Sequence, residues 1–165
     1  MNADARHAAI LLSPRLDLFV PTARFPCFRQ PVLLNAGDHL LAFAENRNVS
    51  SCAPSISSNE IGSLQLRRSA DNGATWTAMQ QVWRGNIDFY TAVHDMRGTT
   101  ILMLQEGAST NVFNSTDFGA SWSAPTPLSV PLPPGVTSIK PAVGHGVQLQ
   151  PDLCASPCRE AGRLV

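Results

Sequence analysis

The sequence predicts an all-β chain laid out as an incomplete β-propeller, about two four-stranded units and the start of a third. Three observations carry that expectation. An eight-residue stretch occurs twice, Ser69 to Trp76 and Ser115 to Trp122, both reading Ser-x-Asp-x-Gly-x-Ser/Thr-Trp with starts 46 residues apart. Repetition at that spacing signals a stacked or radial array. Thirteen Pro and eleven Gly, with no long segment of helical period, point to short strands and many turns. Apolar runs of strand length flank each copy, and four strands with the repeated stretch on the outer hairpin make one unit the size of a propeller blade.

The repeated stretch has the chemistry of a hairpin turn pinned by its own side chains. Asp71 and Asp117, with Ser69 and Ser115, can accept bonds from backbone N–H groups a few residues on, which stabilises a turn locally. Gly73 and Gly119 supply the position where φ is expected to be positive. Trp76 and Trp122 then lead into the return strand, each folding a large ring under the turn. Both aspartates are therefore turn residues on an outer rim and not catalytic acids.

In chain order, residues 1–24 lack periodicity and read as an irregular lead-in to a domain of residues 25–165. The first unit opens with strands at 25–34 and 40–45 around the turn Asn35-Ala36-Gly37-Asp38, a hairpin pattern. A polar loop at 46–62 is long enough to be functional or disordered. Strand 63–68, the first repeated turn and a return strand at 79–83 complete the unit. The second has strands at 89–95, 100–105, 110–114 and 126–130, with the second turn between the last two. A third begins near Lys140-Pro141-Ala142-Val143 and resumes at Gly162-Arg163-Leu164-Val165.

Composition excludes several function classes. Lys+Arg and Asp+Glu both total 12, so no net field steers the chain toward nucleic acid or an anionic membrane. No run approaches the roughly 20 apolar residues of a membrane span. The only N-terminal apolar run, Ala8 to Leu12, is broken by Pro14, Arg15 and Asp17, so no signal peptide is expected in this sequence. Two sequons, at Asn48 and Asn114, and four cysteines are compatible with secretory, lysosomal or extracellular passage of a longer parent, and the compartment stays open. Cys27 and Cys52 are candidates for a disulfide in an oxidising compartment. Cys154 and Cys158 could close a small loop, but no His or Cys pair stands at a partner spacing, so no metal and no cofactor are expected. His94 and His145 read as ordinary hydrogen-bonded histidines.

Arg29, followed by Gln30-Pro31 at the mouth of an apolar strand, is out of place unless an anion or a carboxylate meets it. Phe28-Arg29-Gln30-Pro31, then Leu40-Leu41-Ala42-Phe43-Ala44-Glu45-Asn46-Arg47, then Leu66-Arg67-Arg68-Ser69 running into the repeated turn, resembles the opening of the sialidase (neuraminidase) family with its Asp-box repeats. Gly146-Val147-Gln148-Leu149 and Gly162-Arg163-Leu164-Val165 are similar to further segments of that family, so the resemblance covers about residues 25–165. It implies a six-bladed propeller that removes terminal sialic acids from glycans, of which this chain would carry the N-terminal part.

The resemblance also implies roles. Arg29 matches the first of three arginines that grip the sialic acid carboxylate, a planar fork meeting a planar anion. Arg47 matches an arginine that contacts the sugar away from the carboxylate. The family's acid/base Asp should fall near residues 57–59, where Ser57, Ser58 and Asn59 stand; none can take and return a proton near neutral pH. Glu60 is the nearest carboxylate and the candidate substitute, with an exposed loop carboxylate as the plainer alternative. The family's Tyr nucleophile and its assisting Glu belong to later blades. Tyr90, the only tyrosine, does not match that position and reads as packing, while Glu45 reads as a structural partner for an arginine. The implied partner is a sialylated glycan, with missing blades or a second copy of the chain needed to close the ring. The alternatives are a lectin-like binding module without turnover and a truncated product without independent function.

Overall fold

A computed structural model describes residues 16–47, 52, 62–137 and 139–148. Glu60, the Asn48 sequon, Cys154, Cys158 and the segment 162–165 lie outside the described residues. Among the described residues there are nine strands and no helix.

The first four strands are β1 (Cys27–Ala36), β2 (His39–Arg47), β3 (Gly62–Ser69) and β4 (Gln80–Gly85). They form an antiparallel meander in the order β1-β2-β3-β4. The next four, β5 (Phe89–His94), β6 (Thr100–Glu106), β7 (Ser109–Ser115) and β8 (Thr126–Pro127), repeat the layout. Alternation drives the packing of β1, where Val32, Leu34 and Ala36 are buried while Pro31, Leu33 and Asn35 are exposed. β2 is buried on both faces from Leu41 to Arg47, as a central strand should be.

The two sheets share one core between their faces. Phe43 lies 6.5 Å from the Tyr90 ring and meets Trp122 edge-on at 6.1 Å, while Trp83 meets Phe113 edge-on at 5.4 Å. Leu64, Leu66, Leu102, Leu104 and Ile87 fill the space between. Truncating a ring such as Phe43 in a core of this kind costs about 3–5 kcal/mol.

Each repeated turn joins the third and fourth strands of its sheet, so the two copies occupy equivalent places. Ser69 donates to Asp71 at 2.7 Å and accepts the Gly73 N–H at 2.8 Å, while Asp71 accepts the Thr75 N–H at 2.8 Å and the Thr75 hydroxyl at 2.6 Å. Ser115, Asp117, Gly119 and Ser121 repeat the pattern, with distances of 2.8, 2.7, 2.9 and 2.6 Å. Both turns place two successive residues at positive φ, Asn72 and Gly73 in one, Phe118 and Gly119 in the other. Asn tolerates that region; Phe118 pays about 1–2 kcal/mol for it. Its ring stacks flat on His39 of β2 at 4.2 Å, which offsets part of the cost and docks the second turn onto the first sheet. The tryptophans differ as well: the Trp76 indole donates to the Gly73 carbonyl at 3.0 Å, whereas the buried Trp122 indole nitrogen has no partner among the described residues.

One expectation is corrected. The return strand expected at 126–130 is only Thr126–Pro127, extended by the Leu128 N–H to the Thr110 carbonyl, because Pro127, Pro131, Pro133 and Pro134 bring no donors to a ladder. The opening of the third unit, β9 (Gly144–His145), pairs in parallel with β5. The free edge of β5 offers unpaired backbone groups, and the Thr91 hydroxyl and the Ala92 carbonyl take the Gly144 carbonyl and the Gly146 N–H at 3.0 and 2.8 Å. β1, β5 and β9, which open the successive units, consequently touch one another.

Candidate functional site

The candidate residues gather at the end of β1 and β2. The ladder sets Arg29 opposite Glu45 and Cys27 opposite Arg47. Glu45 and Arg47 are two residues apart on one strand and so share a face, the one that also carries Phe43. The Arg47 guanidinium bonds Glu45 through Nε at 2.7 Å, with both side chains buried. That agrees with reading Glu45 as an arginine's partner. An ion pair removed from water in this way is costly to break from one side, about 3–5 kcal/mol. The second Glu45 oxygen is buried without a partner among the described residues.

Arg29 sits immediately before an irregularity. Between Arg29 and Val32 the register shifts by one, and Gln30 adopts φ 51°. Pro31 offers the ladder no N–H, so a bulge at this place costs little hydrogen bonding. Tyr90 of β5 closes over it from the second sheet, its hydroxyl donating to the Gln30 carbonyl, while the Gln30 amide donates to the Asp88 carbonyl at 3.2 Å. Burial, and after it the Glu45 carboxylate, push the Tyr90 hydroxyl above the ordinary phenol range, and a backbone hydrogen bond at Glu45 partly offsets this. Tyr90 therefore stays a protonated core residue and a donor, in keeping with its reading as packing.

Cys27 and Cys52 form a disulfide with Cα atoms 5.6 Å apart. The pairing left open by the sequence is thus made. It ties one point of the segment between β2 and β3 to the start of β1, two residues from Arg29.

On the opposite side of β1 and β2, residues 16–21 run alongside a cleft of about 730 Å³. Phe28, Arg29, Leu33, Ala42 and Ala44 line it with them, and the Phe19 ring stands 5.3 Å from Phe28. Arg29 is half-buried between this cleft and the Glu45 face. Of these polar groups Arg29 alone is partly exposed, and a guanidinium suits a planar anion, whereas Glu45, Arg47 and Tyr90 are buried and bonded within the fold. They do not make an acid/base pair, since Glu45 is fully buried and bound to Arg47. Among the described residues no group of three His, Cys, Asp or Glu side chains could hold a metal ion.

Sequence reasoning missed the bulge and the Tyr90 contact. Pro31 is the one local signal for the first; nothing local marks the second, which joins residues 60 apart.

No model of a known protein family matches the chain. Among solved structures, it is similar to the Trypanosoma rangeli sialidase in complex with sialic acid, with a TM-score of 0.53 and 17% identity over 74% of this chain. It is similar also to the same organism's sialidase in complex with 2,3-difluorosialic acid, a covalent intermediate, with a TM-score of 0.50 and 17% identity over 73% of this chain. The chain spans about a quarter of the length of these structures, 24% of each. Over that part it is all-β and shares the fold of a sialidase propeller.

Proposed function

We propose that this chain forms the N-terminal blades of an exo-α-sialidase, a glycoside hydrolase whose complete propeller removes terminal sialic acids from glycoconjugates. In this reading Arg29 contacts the sialic acid carboxylate and Arg47 contacts the sugar. The observation that supports it best is the position of Arg29. It stands on the strand that opens the first unit, where the opening strands of successive units meet, opposite Glu45 and beside a cleft. The neighbouring folds belong to sialidases, one of them holding sialic acid.

The isolated chain is proposed to lack turnover. Its single tyrosine is buried and hydrogen-bonded as a donor, so no nucleophile of that kind is available within it. Glu60 remains the proposed substitute for the acid/base, in the segment tethered through Cys52. Sequence beyond Val165 would supply two further arginines, a Tyr and a Glu. The test is hydrolysis of a fluorogenic sialoside. The 165-residue chain should give no release above background, and robust release would refute its inactivity. In a full-length parent, Arg29→Ala should lower kcat/KM by on the order of 100-fold, the loss of a charge-assisted fork. An unchanged kcat/KM would refute the role of Arg29.

A second reading, a lectin-like module that binds sialylated glycans without cleaving them, is favoured by Ser57, Ser58 and Asn59 standing where the acid is expected. Glycan binding by the full-length protein with no release of free sialic acid would select it.

A further inference from the structure

We infer that Tyr90 is a positioning residue for Arg29, acting through the bulge at Gln30; the inference rests on the reading that Arg29 meets a carboxylate. The argument is one of register. From Val32 to Ala36, β1 pairs with β2 in the sequence Val32↔Phe43, Leu33↔Ala42, Leu34↔Leu41. Continued without interruption, that ladder would set Gln30 opposite Glu45 and Arg29 opposite Asn46. The observed pairing is Arg29↔Glu45 and Phe28↔Asn46, so the extra residue in β1 has moved Arg29 by one place. A one-residue slip sends a side chain to the other face of a sheet. The bulge therefore decides whether Arg29 or Gln30 stands at the strand position opposite Glu45.

A bulge that needs a non-glycine residue in the left-handed region does not hold itself. Gln30 has φ 51°, a conformation that surrounding contacts must enforce. β5 and the residue before it supply two such contacts. The Tyr90 hydroxyl takes the Gln30 carbonyl, and the Asp88 carbonyl takes the Gln30 side-chain amide at 3.2 Å. Tyr90 is fully buried, with its ring against Phe43, so the hydroxyl is held where it must be. Removing that hydroxyl leaves the ring packed, deprives the bulge of a tether and lets Arg29 slip from its place opposite Glu45.

The test compares the 165-residue chain with its Arg29→Ala, Tyr90→Phe and Gln30→Ala variants in NMR titrations. The probes are N-acetylneuraminic acid and its methyl ester, which keeps the sugar and removes the charge. Wild type should prefer the acid by about tenfold, a typical effect of a charge-assisted contact, and Arg29→Ala should abolish that preference. Tyr90→Phe should lose it to the same extent while keeping the wild-type affinity for the ester, and the Arg29 Nε–H resonance should shift. A purely structural loss would weaken acid and ester together. Gln30→Ala, which keeps the hydroxyl contact, should lose about threefold of the preference and serves as the test if Tyr90→Phe fails to fold. Full preference in Tyr90→Phe, or in Gln30→Ala where the first does not fold, overturns the inference with the role of Arg29 intact. Equal preference in wild type and Arg29→Ala overturns that role, and the inference falls with it.

Discussion

Gly73→Ala and Gly119→Ala place the same methyl group in two turns of the same design, and the structure predicts different costs. Both glycines have positive φ, 89° and 79°, so each alanine suffers a backbone penalty of about 1–2 kcal/mol. Around Gly73 there is room: an added Cβ would lie 3.5 Å from the Leu40 side chain and 3.7 Å from Trp76, ordinary contacts. Around Gly119 there is none, since the same atom would lie 2.9 Å from Cδ2 of Leu66 and 3.5 Å from Trp122. Leu66 is fully buried in the shared core, so it cannot yield without disturbing its neighbours. Overpacking of this sort adds about 1–3 kcal/mol. Gly73→Ala should therefore lose about 1–2 kcal/mol and Gly119→Ala about 2–5 kcal/mol, read from urea unfolding with a common m-value. Equal losses, or a larger loss at Gly73, would refute the claim that the second turn is docked on the first sheet while the first turn stands clear.

Three further outcomes follow from the same structure. Asp71 and Asp117 are both held at about 2, below the ordinary 3.8, chiefly by the Thr75 and Ser121 hydroxyls and then by the N–H groups of those residues. Because the folded values are depressed, this stabilisation is complete above pH 3.8 and is lost as the pH falls toward 2. Thermal melts across that window should show wild type losing stability and an Asp71→Asn, Asp117→Asn double variant losing less; parallel curves would refute the assignment. The Cys27–Cys52 bridge closes a separation of 25 residues, so replacing both cysteines by Ser should cost about 3–4 kcal/mol in unfolding experiments, and a reductant should have no further effect on that variant. Ser69→Ala and Ser115→Ala each remove an acceptor for a glycine N–H and a donor to an aspartate, and should each cost about 1–2 kcal/mol by chemical denaturation; a loss below 0.3 kcal/mol would show the serines to be dispensable.

What could be read from the sequence is what is decided within a few residues. The turns are the clearest case: Ser69, Asp71, Gly73 and Thr75 make their bonds to one another within a span of seven residues, so the pattern alone implies the geometry. The four strands of each unit are legible for a related reason, since alternation and turn residues mark a meander without reference to distant partners. Legibility ends where the partner is remote or the backbone departs from its rule. Phe118 looks like a misplaced aromatic in a turn until its stack on His39, 79 residues earlier, shows what holds it there. The short β8 and the capture of β9 by β5 depend on which edges are left open, which no local pattern records.

The candidate site divides along the same line. Arg29 and Arg47 stand out as residue types, and Glu45 as an arginine's partner, because a guanidinium amid apolar sequence needs a reason. Orientation is another matter. An alternating strand read from Phe28 through Leu34 without a bulge would set Arg29 on the same side as Pro31 and Leu33, the face of Ala42. The observed register instead puts it across from Glu45. The decision is made by Gln30 with help from Asp88, just before β5, and Tyr90, on β5. It follows that the strand position of Arg29 is not a property of the first sheet alone: a peptide ending before residue 86 would contain both arginines and lack the Asp88 and Tyr90 contacts at Gln30.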